Sequence, residues 1–145
     1  MTAVANAIDR ASANSPFLGG LMDRNPDLME YIRAGDLEAA LESALNRTGE
    51  SMGSALRRQR QGVALVTALA DLAGIWDLTR VTRILSDFAD HALDQAIATA
   101  IEERVPGAPN QGFAVIGLGK HGGRELNYSS DIDPIFLFDP QTLPH

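Results

Sequence analysis

The sequence predicts an α+β protein in which a long helical region precedes a strand, a glycine-rich loop and a second strand. Three observations carry that expectation. Apolar residues recur three and four apart from the N-terminus to about Arg104, with capping residues where segments should begin. Pro106-Gly107-Ala108-Pro109-Asn110 then breaks the pattern with turn chemistry. Beyond it, Phe113-Ala114-Val115-Ile116 and the run from Ile132 to Phe138 read as short apolar strands around a polar, glycine-rich stretch. The expected division is residues 1–110 as a helical region with its linker and residues 111–145 as a second unit.

Roughly four or five helices are expected from the capping pattern. Ser15-Pro16 and Asn25-Pro26 each place a capping side chain before a proline suited to a first helical turn, and Asp36 does the same before Leu37-Glu38-Ala39-Ala40-Leu41. From about Glu50 to Trp76 a longer helix carries Val63, Val66, Leu69, Ala70, Leu72 and Ala73 as a broad apolar surface, with Gly74 near its end. Asp77 can cap the next helix, in which Val81, Ile84, Leu85, Phe88, Ala92, Ala96 and Ile97 recur at helical spacing. Its polar side holds Asp87, Asp90 and Glu102 and reads as a solvated face.

The strand from Phe113 is short and apolar, and reads as buried. Gly117 to Ser130 is the loop, and the second strand, apolar on both faces, reads as covered on both sides. Two strands alone are marginal, so the C-terminal unit reads as the truncated start of a larger sheet; the alternative is a hairpin that caps the helices.

Composition sets outer bounds. With 145 residues, no cysteine and a net charge of −7, the chain has the profile of a folded protein of a reducing cytoplasm, and a thiolate metal site is excluded. The acidic balance argues against nucleic acid as a partner, because backbone binding needs clustered Lys and Arg. Arg57, Arg58 and Arg60 form a local basic cluster that reads as a solvated helix face. No run of about 18 apolar residues predicts a membrane span.

Two carboxylates stand out. Asp131 and Asp133 flank Ile132 at the start of the second strand, where alternation sends both to one face. Two carboxylates so placed suit Mg²⁺, which takes one or two such groups plus water and substrate phosphates. Gly119, Gly122 and Gly123 precede them and could form a turn that approaches a phosphate closely, with Lys120 adding charge and Ser129 and Ser130 adding hydroxyls. The alternative is that the glycines serve turn geometry alone and that Lys120 and Arg124 are solvated. Asp139 lies about 20 Å further along an extended chain, out of reach of the same metal.

Competing chemistries are weaker. Gly117-Leu118-Gly119-Lys120-His121-Gly122 matches the dinucleotide-binding G-x-G-x-x-G with Asp139 downstream, but the segment after it is too short and too polar for the helix that motif requires. A Walker loop lacks its Lys-Ser or Lys-Thr. His91, His121 and His145 join no nucleophile elbow, and His121 in the glycine loop reads as incidental.

The run from Gly117 through Gly122-Gly123-Arg124-Glu125-Leu126-Asn127-Tyr128-Ser129-Ser130 to Asp131-Ile132-Asp133 closely resembles the signature of the bifunctional glutamine synthetase adenylyltransferase/adenylyl-removing enzyme family. The helices around Ala55-Leu56-Arg57-Arg58, Asp71-Leu72-Ala73-Gly74 and Asp87-Phe88-Ala89-Asp90 are similar to those preceding that signature, so the resemblance spans most of the chain. It implies the first part of a DNA polymerase β-like nucleotidyltransferase core, with Asp131 and Asp133 as catalytic, Mg²⁺-binding carboxylates. Gly122, Gly123 and Ser130, with Lys120 beside them, would lie along the phosphates of ATP or ADP. Glutamine synthetase is the implied partner, with a nitrogen-regulatory signalling protein as a second one. The opening helices with Ser15-Pro16-Phe17-Leu18 resemble the half that removes AMP from glutamine synthetase by phosphorolysis.

Two departures stand against the family pattern. Pro134 follows the second Asp and removes a backbone donor, which implies an edge position or a distortion. The family's third carboxylate comes from a later strand, so the chain alone is expected to be inactive. A noncatalytic helical interaction module with a vestigial nucleotide motif is the alternative.

Overall fold

A computed structural model describes residues 2–143, so His145 lies outside the described residues. The chain forms two compact units that divide between Ile84 and Leu85.

The first unit is helical: α1 (Ala3–Asn14), α2 (Pro16–Arg24), α3 (Pro26–Ala34), α4 (Leu37–Leu45), α5 (Met52–Leu72) and the start of α6 (Leu78–Arg104). Six helices thus replace the expected four or five, because α1 is a separate element capped by Thr2, whose hydroxyl accepts from Ala5 N–H at 3.2 Å. Ser15 caps α2 through Leu18 N–H at 3.2 Å, Asp36 caps α4 through Ala39 N–H at 3.0 Å, and Asp77 caps α6 through Arg80 N–H at 2.8 Å, as expected from the sequence. The N-terminus of α5 is held by a reciprocal capping box between Ser51 and Ser54.

Asn25 departs from its expected role. Its side chain caps nothing at α3; it is buried, donates to Leu21 C=O at 2.6 Å and accepts from Arg47. Arg47 also forks onto Asp27 at 2.6 and 2.7 Å, so one guanidinium ties the α2–α3 junction to the chain leaving α4.

Every side chain of α5 from Leu65 to Ala70 is buried, which makes it the central helix of this unit. Around it pack Leu21, Leu28, Met29 and Ile32, each contributing about 1.5–3 kcal/mol by burial. Gly62 lets α4 approach: a Cβ there would stand 2.8 Å from that of Ala44. Trp76 is buried under the Arg80 guanidinium, which lies 4.3 Å from the ring centroid and also pairs with Glu38.

The second unit joins α6 from Leu85 onward to β1 (Phe113–Gly117), the single-turn α7 (Gly119–Gly122) and β2 (Pro134–Phe138). The strands pair antiparallel, from Phe113 opposite Phe138 to Gly117 opposite Pro134. A mostly helical chain with a two-stranded sheet matches the α+β expectation, but two details are corrected. The second strand begins at Pro134 rather than Ile132, and Pro134 faces Gly117 between hydrogen-bonded pairs, so its missing N–H removes no ladder bond. Nor are the strands buried. Phe136 and Phe138 are 53% and 64% exposed, and β1 alternates half-buried and exposed positions.

Candidate functional site

The glycine segment folds as a strand, one helical turn and a loop. Gly119, at φ 56°, turns the chain out of β1 into α7, a left-handed conformation that glycine adopts without a Cβ clash. Gly122 then lies against the end of β1, where a Cβ would stand 2.4 Å from Gly117 C=O. Its N–H donates to Leu118 C=O at 3.2 Å and that of Gly123 to Gly119 C=O at 3.0 Å. Both amides are therefore engaged within the turn.

Beyond the turn, Asn127, Ser129 and Ser130 close a second one. Asn127 Oδ1 accepts from Ser129 N–H at 3.1 Å and from the Ser130 hydroxyl at 2.8 Å, while Ser130 Oγ accepts from Asn127 N–H at 3.1 Å. The chain then reaches Asp131 and Asp133, both exposed. β2 starts one residue later, so alternation along the strand reaches Asp133 only through the end of the ladder and does not by itself fix the direction of Asp131. What the structure supplies instead is a tie: Leu118 N–H donates to Asp133 C=O at 3.1 Å, joining the entrance of the glycine turn to the carboxylate segment.

Neither aspartate takes an ion-pair partner among the described residues, whereas Asp27, Asp87 and Asp90 all do. An exposed, uncommitted carboxylate pair suits Mg²⁺ held by one or two protein oxygens with the rest from phosphate and water. No group of three metal-ligating side chains occurs among the described residues. Lys120 is exposed on α7.

The polar face of α6 is not merely solvated, as the sequence reading had it. Asp90 Oδ1 accepts from His121 Nε2 at 2.8 Å and its Oδ2 forms an ion pair with the Arg124 guanidinium at 2.9 Å; a second Arg124 nitrogen donates to Asp87. Ser86 Oγ accepts from the N–H of buried Leu126 at 3.3 Å, and Glu102 accepts from Gly107 N–H at 3.0 Å. His121, read as incidental, is only 5% exposed, and its Nδ1 is buried without a partner among the described residues. The spacing of Ser86, Asp87 and Asp90 on one helix side was the available signal, but their partners lie more than thirty residues away and periodicity does not reveal such pairs.

Beside this clamp is a hollow of about 540 Å³, lined by Asp90, Leu93 and Ile97 of α6, by Phe113 and Val115 of β1, and by Gly122. Asp131, Asp133, Lys120 and Ser130 do not line it.

The dinucleotide-binding alternative is answered by geometry. The helix after the first glycines is one turn long and ends at Gly122, and the flanking strands are antiparallel, whereas that motif needs a long helix crossing between parallel strands.

Residues 5–145 match the family described as Glutamate-ammonia ligase adenylyltransferase. Among curated proteins, the chain is 36% identical over 151 residues to a bifunctional glutamine synthetase adenylyltransferase/adenylyl-removing enzyme of Caulobacter vibrioides, covering 91% of this chain and 15% of that protein. The proteins of the same name from Xanthobacter autotrophicus and Rhizobium meliloti are 38% and 32% identical, covering 90% and 91% of this chain and 15% and 16% of theirs. The chain therefore spans about 15% of the length of these relatives. No solved structure matches it.

Proposed function

Because this chain belongs to the glutamate-ammonia ligase adenylyltransferase family, we propose that its second unit supplies the glycine turn and the first two carboxylates of a Mg²⁺-dependent nucleotidyltransferase centre acting on glutamine synthetase. The observation that carries this reading is the Leu118–Asp133 bond, which ties the exposed Asp131/Asp133 segment, free of ion pairs among the described residues, to the entrance of the glycine turn.

In this reading Asp131 and Asp133 hold Mg²⁺, which neutralises phosphate charge and supports in-line displacement. Ser130 and Lys120 lie toward the phosphates of ATP or ADP, and Gly122 and Gly123 keep that approach open. The adenylyl-removing direction belongs to the proposal and is supported by the resemblance of the opening helices to that half: an oxygen of inorganic phosphate bonds to the phosphorus of the adenylyl group as its bond to the tyrosine oxygen breaks, and the tyrosine oxygen takes up a proton. The products are ADP and free tyrosine. The division into residues 1–110 and 111–145, the nucleotidyltransferase core, a cytoplasmic site of action and a nitrogen-regulatory signalling partner belong to the same proposal. No described helix is long and apolar enough to cross a membrane.

The test is titration of the chain with ADP in the presence and absence of Mg²⁺. Binding that requires Mg²⁺ and is lost in D131N and D133N supports the reading. Binding of glutamine synthetase with no metal-dependent nucleotide binding would make the chain an interaction module instead. The direction is tested by placing this chain in a full-length relative in place of the matching segment. There D131N and D133N should abolish phosphate-dependent release of ADP from adenylylated glutamine synthetase and spare ATP-dependent attachment. The purified chain alone should release no ADP, since among the described residues no third carboxylate joins the pair.

A further inference from the structure

We propose that Asp90 is a positioning residue of the site: from α6 it fixes His121 and Arg124, and through them sets where the glycine turn stands relative to Asp131 and Asp133. The proposal rests on the nucleotide reading for its purpose, but its geometry stands separately.

Asp90 is the only described carboxylate whose two oxygens go to two different residues of the glycine segment, one to His121 Nε2 at 2.8 Å and one to Arg124 at 2.9 Å. Asp87, three residues earlier on the same side of the helix, takes the remaining reach of the Arg124 guanidinium. A carboxylate can only accept, so Nε2 is the donor and His121 presents its proton to α6. Arg124 is held at φ 58°, the only described non-glycine residue with a positive φ, where the chain leaves α7. Such a backbone state persists when its surroundings over-determine it, and the double pairing of the Arg124 side chain provides that restraint.

Both ends of the turn are therefore anchored. The entrance is bonded to the carboxylate segment through Leu118 and Asp133, and the exit is bonded to α6 through His121, Arg124 and Leu126. The charged groups around His121 are Asp90, with Asp87 and Asp94 on the same helix, and Arg124 and Lys120 on its own segment. Asp90 is itself the shared acceptor of His121 and Arg124, so its loss releases both at once. Burial of His121 could alternatively be packing alone, and the two roles make opposite demands on a substitute. Packing asks for an apolar side chain, while the clamp asks for a donor at the Nε2 position.

The experiment is hydrogen exchange of the Gly122 to Glu125 amides in the 145-residue chain, with a Mg²⁺–ADP titration beside it, for D90A, H121L and H121Q. D90A and H121L should speed exchange at these amides tenfold or more while helix content is unchanged, and H121Q, which restores a donor near the Nε2 position, should exchange as the parent does. If the parent binds Mg²⁺–ADP, D90A should weaken that binding about tenfold. Parent-like exchange in H121L with loosening in H121Q would identify packing and overturn the proposal, as would unchanged exchange in D90A. If the parent fails to bind Mg²⁺–ADP yet the exchange results follow the expected pattern, the clamp stands and the nucleotide reading falls.

Discussion

Replacing Gly122 by alanine places a methyl group 2.4 Å from Gly117 C=O and 3.2 Å from its carbon, where ordinary contact begins near 3.4 Å. The obstacle is backbone, so no side chain can swing aside. Either α7 or the end of β1 must move by about 1 Å, and overpacking of that kind costs about 1–3 kcal/mol. Alanine regains up to about 1 kcal/mol of helix propensity, less in a one-turn helix, which leaves a net loss of about 1–2 kcal/mol. Gly123 is the control. Its φ is −79° and its added Cβ would meet Gly119 C=O at 3.4 Å, so G123A should stay within about 0.5 kcal/mol of the parent. Hydrogen exchange at peptides covering residues 113–126 reads the difference: G122A should exchange about 5- to 30-fold faster and G123A should not. Equal behaviour of the two variants would refute the claim that Gly122 is required by close approach to β1.

The first unit offers further tests, each read by Trp76 fluorescence during urea unfolding. G62L drives a branched side chain into a position where even a Cβ meets Ala44 at 2.8 Å and Leu28 at 3.1 Å; it should lower stability by about 2 kcal/mol or more, and G62A by much less because helix propensity offsets the crowding. R47A leaves the buried Asn25 oxygen without the guanidinium it accepts from and should cost about 1–3 kcal/mol, more than an exposed ion pair alone. Partial burial pushes the Asp27 carboxyl up, but the hydrogen bond and charge of Arg47, with the Leu28 N–H, outweigh it and hold it below the ordinary carboxylate value. A lowered folded-state pKa means stability that is present above about pH 4 and lost as pH falls through the folded value. Because Asp27 is half exposed, the loss should be under about 1 kcal/mol, and it should vanish in D27N when pH 7 and pH 3 are compared.

Local signals were readable in the sequence wherever a single residue sufficed. Ser15, Asp36 and Asp77 cap the helices expected of them, and the break at Pro106–Asn110 precedes β1. Readings that needed a partner far along the chain failed. Asn25 has the right residue type before a proline, yet Arg47, 22 residues away, captures its oxygen and its amide turns back to Leu21. Asp87 and Asp90 have the composition of a solvated face, and only the folded glycine segment turns them into acceptors. At Asp131 and Asp133 the strand runs out before both are covered: the Leu118–Asp133 bond continues the β1–β2 register one pair past Gly117 and Pro134, which leaves Asp133 at the end of the ladder and Asp131 beyond it.

That outcome changes what the carboxylate pair depends on. The backbone of Asp133 is bonded to the entrance of the glycine turn at Leu118, and that turn is tied to α6 through a charged clamp. In the proposal made for Asp90, position passes from a helix, through a buried histidine and an arginine in a left-handed conformation, to the two exposed acids. Within this clamp His121 is the buried member, so removing Asp90 leaves its Nε2 N–H without an acceptor, whereas Arg124 and Asp87 stay half exposed to water. Changes at Asp90 should thus disturb the site at least as much as changes in the loop itself, although Asp90 lies on a helix face whose sequence reads as plain surface.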